Sequence, residues 1–177
     1  MSRTNPYKKK KRRARKTLLM FGEGFNEEIF LKHLRKLYSY NSGTATKVKS
    51  GKGGDAQSII IDADKTYGAF DRKIVVLDND KPKNEMVKAR QEAKRRKIEL
   101  IENTPCLEFL LMSIIIGKKL NEKNSSWYKS EFESKYLDRK KRREPNEYDK
   151  LFPKKLLDSK RPAILELNKL ISIMEGK

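Results

Sequence analysis

The stretch Lys73-Ile74-Val75-Val76-Leu77-Asp78-Asn79-Asp80 decides the fold. Residues 73–77 form a β-branched apolar run without polar alternation, as expected of a strand covered on both faces. The run stops at two acids, Asp78 and Asp80, which by themselves read as an ordinary turn.

Upstream, Ala56, Ile59, Ile60, Ala63 and Tyr67 place one apolar stripe on a helix, with Asp55 positioned to cap it. Before that helix lies the flexible loop Gly51-Lys52-Gly53-Gly54-Asp55, and before the loop a short strand over 45–49. Ile29, Phe30, Leu34, Leu37 and Tyr38 mark a helix over 26–38, with Asn26 as its N-cap. Thr17 to Phe21 reads as another buried strand, ending at Gly22-Glu23-Gly24.

Downstream, 83–95 is a charged helix turning Met86, Ala89 and Ala93 inward, and 97–101 a further strand. Pro105 opens an apolar helix from Cys106 to about Ile116. The order β-α-β-α-β-α-β-α predicts an α/β fold over 17–117: a four-stranded parallel, Rossmann-like sheet with helices on both faces.

Composition changes on either side of this core. Residues 1–16 carry nine basic and no acidic residues, a basic arm that is disordered by itself. Residues 118–177 read as a basic, mostly helical extension. It opens with a polar linker and a helix over 127–137. Between Lys135 and Arg161 it holds eleven basic and five acidic residues, and it closes with an amphipathic helix over 164–174.

The whole chain has 177 residues and a formal charge of +19. Such a charge speaks of partners rather than of fold, and a polyanion is the obvious one, because each neutralised phosphate releases counterions. No basic helix with a broad apolar face points to a membrane surface, and the apolar run 109–116 is too short to span one. Cys106 is the only cysteine, so no internal disulfide forms, and a cytoplasmic setting is expected.

In an open parallel sheet, ligands bind beyond the carboxyl ends of the strands. Glu23 ends one strand and Asp78 and Asp80 end another. Three carboxylates at one sheet edge repel one another unless a cation sits among them, and hard oxygen ligands suit Mg²⁺ or Mn²⁺. Glu27 lies one turn into the following helix, where an acid is either a further ligand or a simple helix-start preference. Lys52, Lys81 and Lys83 form a basic rim around the acids, each of them by itself an ordinary solvated lysine. In the N-terminal arm, Lys8, Lys9, Lys10, Lys11, Arg12 and Arg13 are candidate phosphate contacts. His33 reads as a packing or surface residue and Cys106 as a small buried hydrophobe. Trp127 and Tyr128 anchor a helix to the core or stack on a base.

A strand ending in Glu-Gly, followed by a β-branched strand ending in Asp-x-Asp, resembles the Toprim domain of topoisomerases, primases and several nucleases. Four pieces narrow the likeness to the RloB-like Toprim proteins of bacterial mobile and defence-associated genes: Glu23-Gly24-Phe25-Asn26-Glu27, Gly51-Lys52-Gly53-Gly54-Asp55, Leu77-Asp78-Asn79-Asp80 and Asn103-Thr104-Pro105-Cys106-Leu107-Glu108. The resemblance implies a Toprim-like fold and Mg²⁺- or Mn²⁺-dependent nuclease chemistry in anti-phage defence. Asp78 and Asp80 carry over as metal ligands, and Glu23 as ligand or general acid/base. Glu27 and Glu108 carry over as further acids, so that two metals can be held. Asn79 and Thr104 depart from the family pattern without removing an acid. RNA and DNA both stay open as substrates. So do a homodimer, a partner protein such as an ATPase, a non-catalytic nucleic-acid-binding module and a partner-held effector subunit.

Overall fold

The computed structural model describes residues 15–40, 42–117, 120, 122–138 and 140–177. The arm residues Lys8 to Arg13 lie outside them. The chain alternates as its apolar periodicity demands: β1 (Lys16–Gly22), α1 (Phe25–Tyr38), β2 (Thr44–Ser50), α2 (Ala56–Lys65), β3 (Arg72–Asp78), α3 (Lys83–Arg95), β4 (Glu99–Asn103) and α4 (Leu107–Ile116). The strands form one all-parallel sheet in the order β2-β1-β3-β4, a Rossmann-like α/β arrangement.

The two central strands are apolar throughout because each face of the sheet has its own core. Leu18 and Met20 of β1, with Ile74 and Val76 of β3, point to one side. Leu19 and Phe21, with Val75 and Leu77, point to the other and meet α2 and α3 through Ile59, Ile60, Ala63, Met86, Ala89 and Ala93. Period-two alternation of side chains makes this division unavoidable once both faces are covered. The edge strand β2 buries only Val48, consistent with its mixed sequence.

The first face is covered by α1 and α4 and by the C-terminal segment. That segment forms α5 (Ser125–Lys135), a 3-10 turn (Lys141–Arg143), α6 (Pro145–Leu151), α7 (Lys154–Lys160) and α8 (Leu165–Met174). Tyr128, Phe132, Tyr148, Phe152, Leu157, Leu167, Leu170 and Met174 are buried in one continuous cluster with Leu18, Met20, Ile74 and Val76. The core therefore runs across the compositional change near residue 118. Phe152 meets Phe30 of α1 edge to face, ring centroids 5.8 Å apart, and His33 bonds the Phe152 carbonyl at 2.8 Å. His33 is thus a buried packing residue, as expected.

Several boundaries differ from those expected. The fourth strand begins at Glu99 rather than Lys97, because Lys97 adopts a left-handed conformation (φ 55°) and Ile98 N–H bonds back to Ala93 to close α3. Tyr67 is 94% exposed and leaves the α2 stripe, since Thr66 turns extended after Lys65. Asp55 caps α2 as expected, accepting from Ser58 N–H at 2.9 Å. Asn26 does not cap α1; Gly24 does, with the Glu27 carboxylate accepting the Gly24 N–H at 2.9 Å. The apolar helix α4 starts at Leu107, leaving Pro105 outside it and Cys106 as its cap residue. The helix expected over 127–137 runs Ser125–Lys135, capped by Asn124, whose side chain accepts from Trp127 N–H at 2.8 Å. Among the described residues no helix is long and apolar enough to cross a membrane.

A shared core predicts shared stability. Phe152→Ala, which empties a fully buried aromatic site beneath α1, is expected to cost about 3–5 kcal/mol. Urea unfolding followed by far-UV circular dichroism should show one transition moving as a unit. Two separated transitions, with the sheet's unchanged, would refute a common core.

Candidate functional site

The parallel register sets the site. Gly22 pairs with Val76, so Glu23 and Asp78 leave adjacent strands side by side at the carboxyl edge of the sheet. Glu23 N–H donates to the Val76 carbonyl at 3.1 Å, and Asp78 N–H donates to Glu23 Oε2 at 3.2 Å. Position 22 has to be glycine, because a Cβ there would lie 2.5 Å from the Glu27 Cβ. The missing side chain lets the first turn of α1 fold back over the strand end and bring Glu27 to the acids.

Five carboxylates line one cavity of about 320 Å³ together with Lys129; one of them, Glu133, is paired with Arg142, and the other four are Glu23, Glu27, Asp78 and Glu108. Three of the four are deeply buried, with Glu27 7%, Asp78 4% and Glu108 2% exposed. Asp78 Oδ1 accepts the Leu107 N–H at 2.9 Å, at the start of α4. Two helix N-termini, those of α1 and α4, thus face the cluster and favour negative charge there. Glu108 Oε1 accepts from Asn26 Nδ2 at 3.0 Å, while its Oε2 is buried without a hydrogen-bond partner.

Asp80 does not line the cavity. It is joined to it by Lys129, whose Nζ lies 3.0 Å from Asp80 Oδ2 and 3.4 Å from Asp78 Oδ2. Lys81 is not a solvated rim lysine. Its Nζ is held 2.9 Å from Glu23 Oε1 and 2.7 Å from the Gly54 carbonyl, because a carboxylate and a loop carbonyl converge on it. The glycine loop docks on the end of β1 through Gly51 N–H to the Gly22 carbonyl and Gly53 N–H to the Glu23 carbonyl. Lys52 and Lys83 are exposed and do not line the cavity.

No protein-family model, curated protein or solved structure matches this chain.

Burial dominates the electrostatics. It pushes the Glu27 carboxyl up to about 7, helped by the charge of Glu108 and opposed by backbone hydrogen bonds. It pushes Asp78 up to about 8, with Glu27 adding to the shift and Lys129 opposing it. Burial works against the Lys129 ammonium, but its hydrogen bond to Asp80 and the charge of Asp78 prevail and raise it. Cys106, buried beside these groups, is raised to about 12 and stays a thiol, in keeping with a space-filling role.

Among the described residues, no group of three or more His, Cys, Asp or Glu is arranged to hold a metal ion. Lysines occupy part of that role: Lys129 spans Asp78 and Asp80, and Lys81 holds Glu23. The donor chemistry nonetheless suits a hard divalent cation, being all carboxylate oxygen. Glu108 Oε2, without a partner, is an acceptor that the protein's own hydrogen bonds leave unmet.

Sequence reasoning does not find Lys129, Arg142 or Glu133 as site residues, and it misses the part that Asn26 plays. Asn26 links Glu108 to Arg142, accepting from its guanidinium at 3.1 Å, and Arg142 also pairs with Glu133. The local signal near Lys129 is the aromatic pair Trp127-Tyr128, of which Tyr128 is buried in the core.

The raised carboxyls carry a pH dependence. The folded chain keeps protons on Glu27 and Asp78 that the unfolded chain releases near 4.5 and 3.8. Their contribution to stability is therefore fully present below about pH 4 and is lost as pH rises through about 7–8. Glu27→Gln retains a capping acceptor but removes one of these titrations. Its melting temperature should fall less than that of the wild type between about pH 5 and about pH 8.5, read by differential scanning calorimetry. Parallel curves for the two proteins would contradict the assignment.

Proposed function

We propose that the protein is a metal-dependent nuclease of the Toprim type, hydrolysing phosphodiester bonds of RNA or DNA with Mg²⁺ or Mn²⁺. The observation that carries this reading is the gathering of Glu23, Glu27, Asp78 and Glu108 around one cavity at the carboxyl ends of two adjacent parallel strands. Burying several like charges is costly unless a cation compensates them. The RloB-like resemblance of the four motifs, and a role in anti-phage or mobile-element defence, belong to this proposal.

In this reading Asp78, Asp80, Glu27 and Glu108 would hold the cation, and Glu23 would join them or manage a proton beside them. Bound there, a divalent cation supplies electrostatic stabilisation of the charge that develops on a phosphoryl oxygen. The chain's own groups do the rest. Glu23, tied to Lys81 and less deeply buried than Glu27, Asp78 and Glu108, suits general acid/base work on the attacking water or the leaving oxygen. Lys52 and Lys83 stay exposed near the sheet edge and, with the net charge of +19, draw a polyanion towards the acids without crowding them. The basic residues Lys8 to Arg13 extend the same field. A cytoplasmic setting, a homodimer and control by a partner protein such as an ATPase complete the proposal.

A second reading, a nucleic-acid-binding module without catalysis, has one observation behind it: Lys129 and Lys81 already neutralise several of the acids. One experiment separates the two. The protein is incubated with labelled tRNA, single-stranded RNA and plasmid DNA, with Mg²⁺, Mn²⁺ or a chelator. Cleavage that needs the metal, and that Asp78→Asn lowers by about a hundredfold or more while circular dichroism shows an unchanged fold, is the expected outcome. Chelator-insensitive, salt-sensitive binding without cleavage gives the decision to the binding module.

A further inference from the structure

Lys129 stands midway along α5, a helix fixed on both sides of it by the buried side chains of Tyr128 and Phe132. Its backbone is therefore packed against the core beneath the sheet. Its side chain is 41% exposed and reaches Asp80 at 3.0 Å and Asp78 at 3.4 Å. A long stem with a polar tip at a cavity mouth can trade one partner for another without moving its helix.

An ammonium and a divalent cation compete for the same carboxylates. The lysine is an incomplete substitute. It brings one charge, and it leaves Glu108 Oε2, buried among the lining residues, without a hydrogen-bond partner. The cluster therefore retains an unmet acceptor while Lys129 is seated. A cation that takes Asp78 and Asp80 frees the ammonium but leaves it tethered to the wall of the same cavity. The next anion to arrive there is a substrate phosphate.

We infer that Lys129 changes partners in the proposed reaction: it neutralises Asp78 and Asp80 until a divalent cation takes them, and then holds a phosphate of the nucleic acid. The exchange rests on the nuclease reading of the site. No covalent bond is made or broken in it; only ion-pair partners change. Lys129 is thereby a phosphate-binding residue supplied by the C-terminal segment, and it sets how readily the site loads with metal.

The test is calorimetric titration of Mn²⁺ into the full-length wild type, Lys129→Ala and Lys129→Arg, alongside single-turnover cleavage of a short fluorescein-labelled single-stranded RNA at saturating Mn²⁺. Removing a competing unit charge at this distance, discounted for its exposure, should tighten Mn²⁺ binding of Lys129→Ala about tenfold. The same variant should need a several-fold higher RNA concentration for half-maximal rate. Lys129→Arg, which keeps the charge, should stay near wild type in both. Opposite signs in the two readouts are the signature, since a merely structural lysine would weaken both when removed. Mn²⁺ affinity unchanged or weaker in Lys129→Ala overturns the exchange, and an unchanged RNA dependence overturns its phosphate half. If neither wild type nor Lys129→Ala binds Mn²⁺, the metal reading of the site falls as well. Thermal unfolding of each variant without metal checks that all three are folded.

Discussion

Two neighbouring parallel strands, β1 and β3, end in carboxylates, and the surrounding structure is arranged to make that repulsion tolerable. The register that pairs Gly22 with Val76 leaves Glu23 and Asp78 no room to separate. The answer comes from several elements at once. The Asp78 backbone N–H donates to Glu23, and the first N–H of α4 donates to Asp78. Lys81 returns from the loop after β3 to hold Glu23, and Lys129 arrives from α5 to span Asp78 and Asp80. Glu27 and Glu108 add to the crowding, and the chain accepts it by keeping Glu27 and Asp78 protonated well above the usual carboxylate range.

The C-terminal helices serve the same constraint. Without α5 the acid cluster would lose Lys129, and without the turn after it Asn26 would lose Arg142, which steadies the amide that holds Glu108. These groups reach the sheet edge because Tyr128, Phe132, Tyr148 and Phe152 bury themselves against the face that α1 and α4 cover. Apolar packing provides the force, and the cationic side chains are carried along to the acids by it. The high charge of the segment and its contribution to the core are therefore not in conflict. Lys135, Lys140, Lys141, Lys150, Lys154 and Lys155 are exposed, while the aromatic and aliphatic side chains of the same segment face the core and Arg142 is buried at the site.

How much of this is legible in the sequence depends on the range of each interaction. The strands β1 and β3 are readable because burial on both faces writes itself locally, as unbroken apolar runs ending in acids. The helices α1, α2 and α3 are readable from their 3.6-residue periodicity. The start of β4 is not, because Lys97 takes a left-handed turn that no glycine or asparagine announces. Glu23, Asp78 and Asp80 are legible as candidate site residues because they stand at strand ends, whereas position leaves Glu27 between a ligand and a helix-start preference, and Glu108 enters only through the Toprim resemblance. Asp80 is the weakest of that set, joined to the others through a lysine. Lys129 and Arg142 are illegible for the converse reason. Their contacts span 49 and 116 residues of chain, and nothing near them in sequence distinguishes them from the many other basic residues.

Glu27 shows why fold and site cannot be tuned separately here. Its carboxylate caps α1 through the Gly24 N–H, and it is also the acid that raises Asp78 most after burial itself. The approach that permits both depends on the missing side chain of Gly22. Any residue with a Cβ at position 22 would push the first turn of α1 away from the strand end, loosening the helix start and dispersing the carboxylates together. A cluster of like charges would gain electrostatically from that dispersal. It stays assembled because helix capping, two-sided burial of β1 and β3, and the core beneath α1 all demand the same backbone path. The unfavourable charge arrangement is thus held by apolar packing at a distance from it, which keeps the acids from relaxing apart.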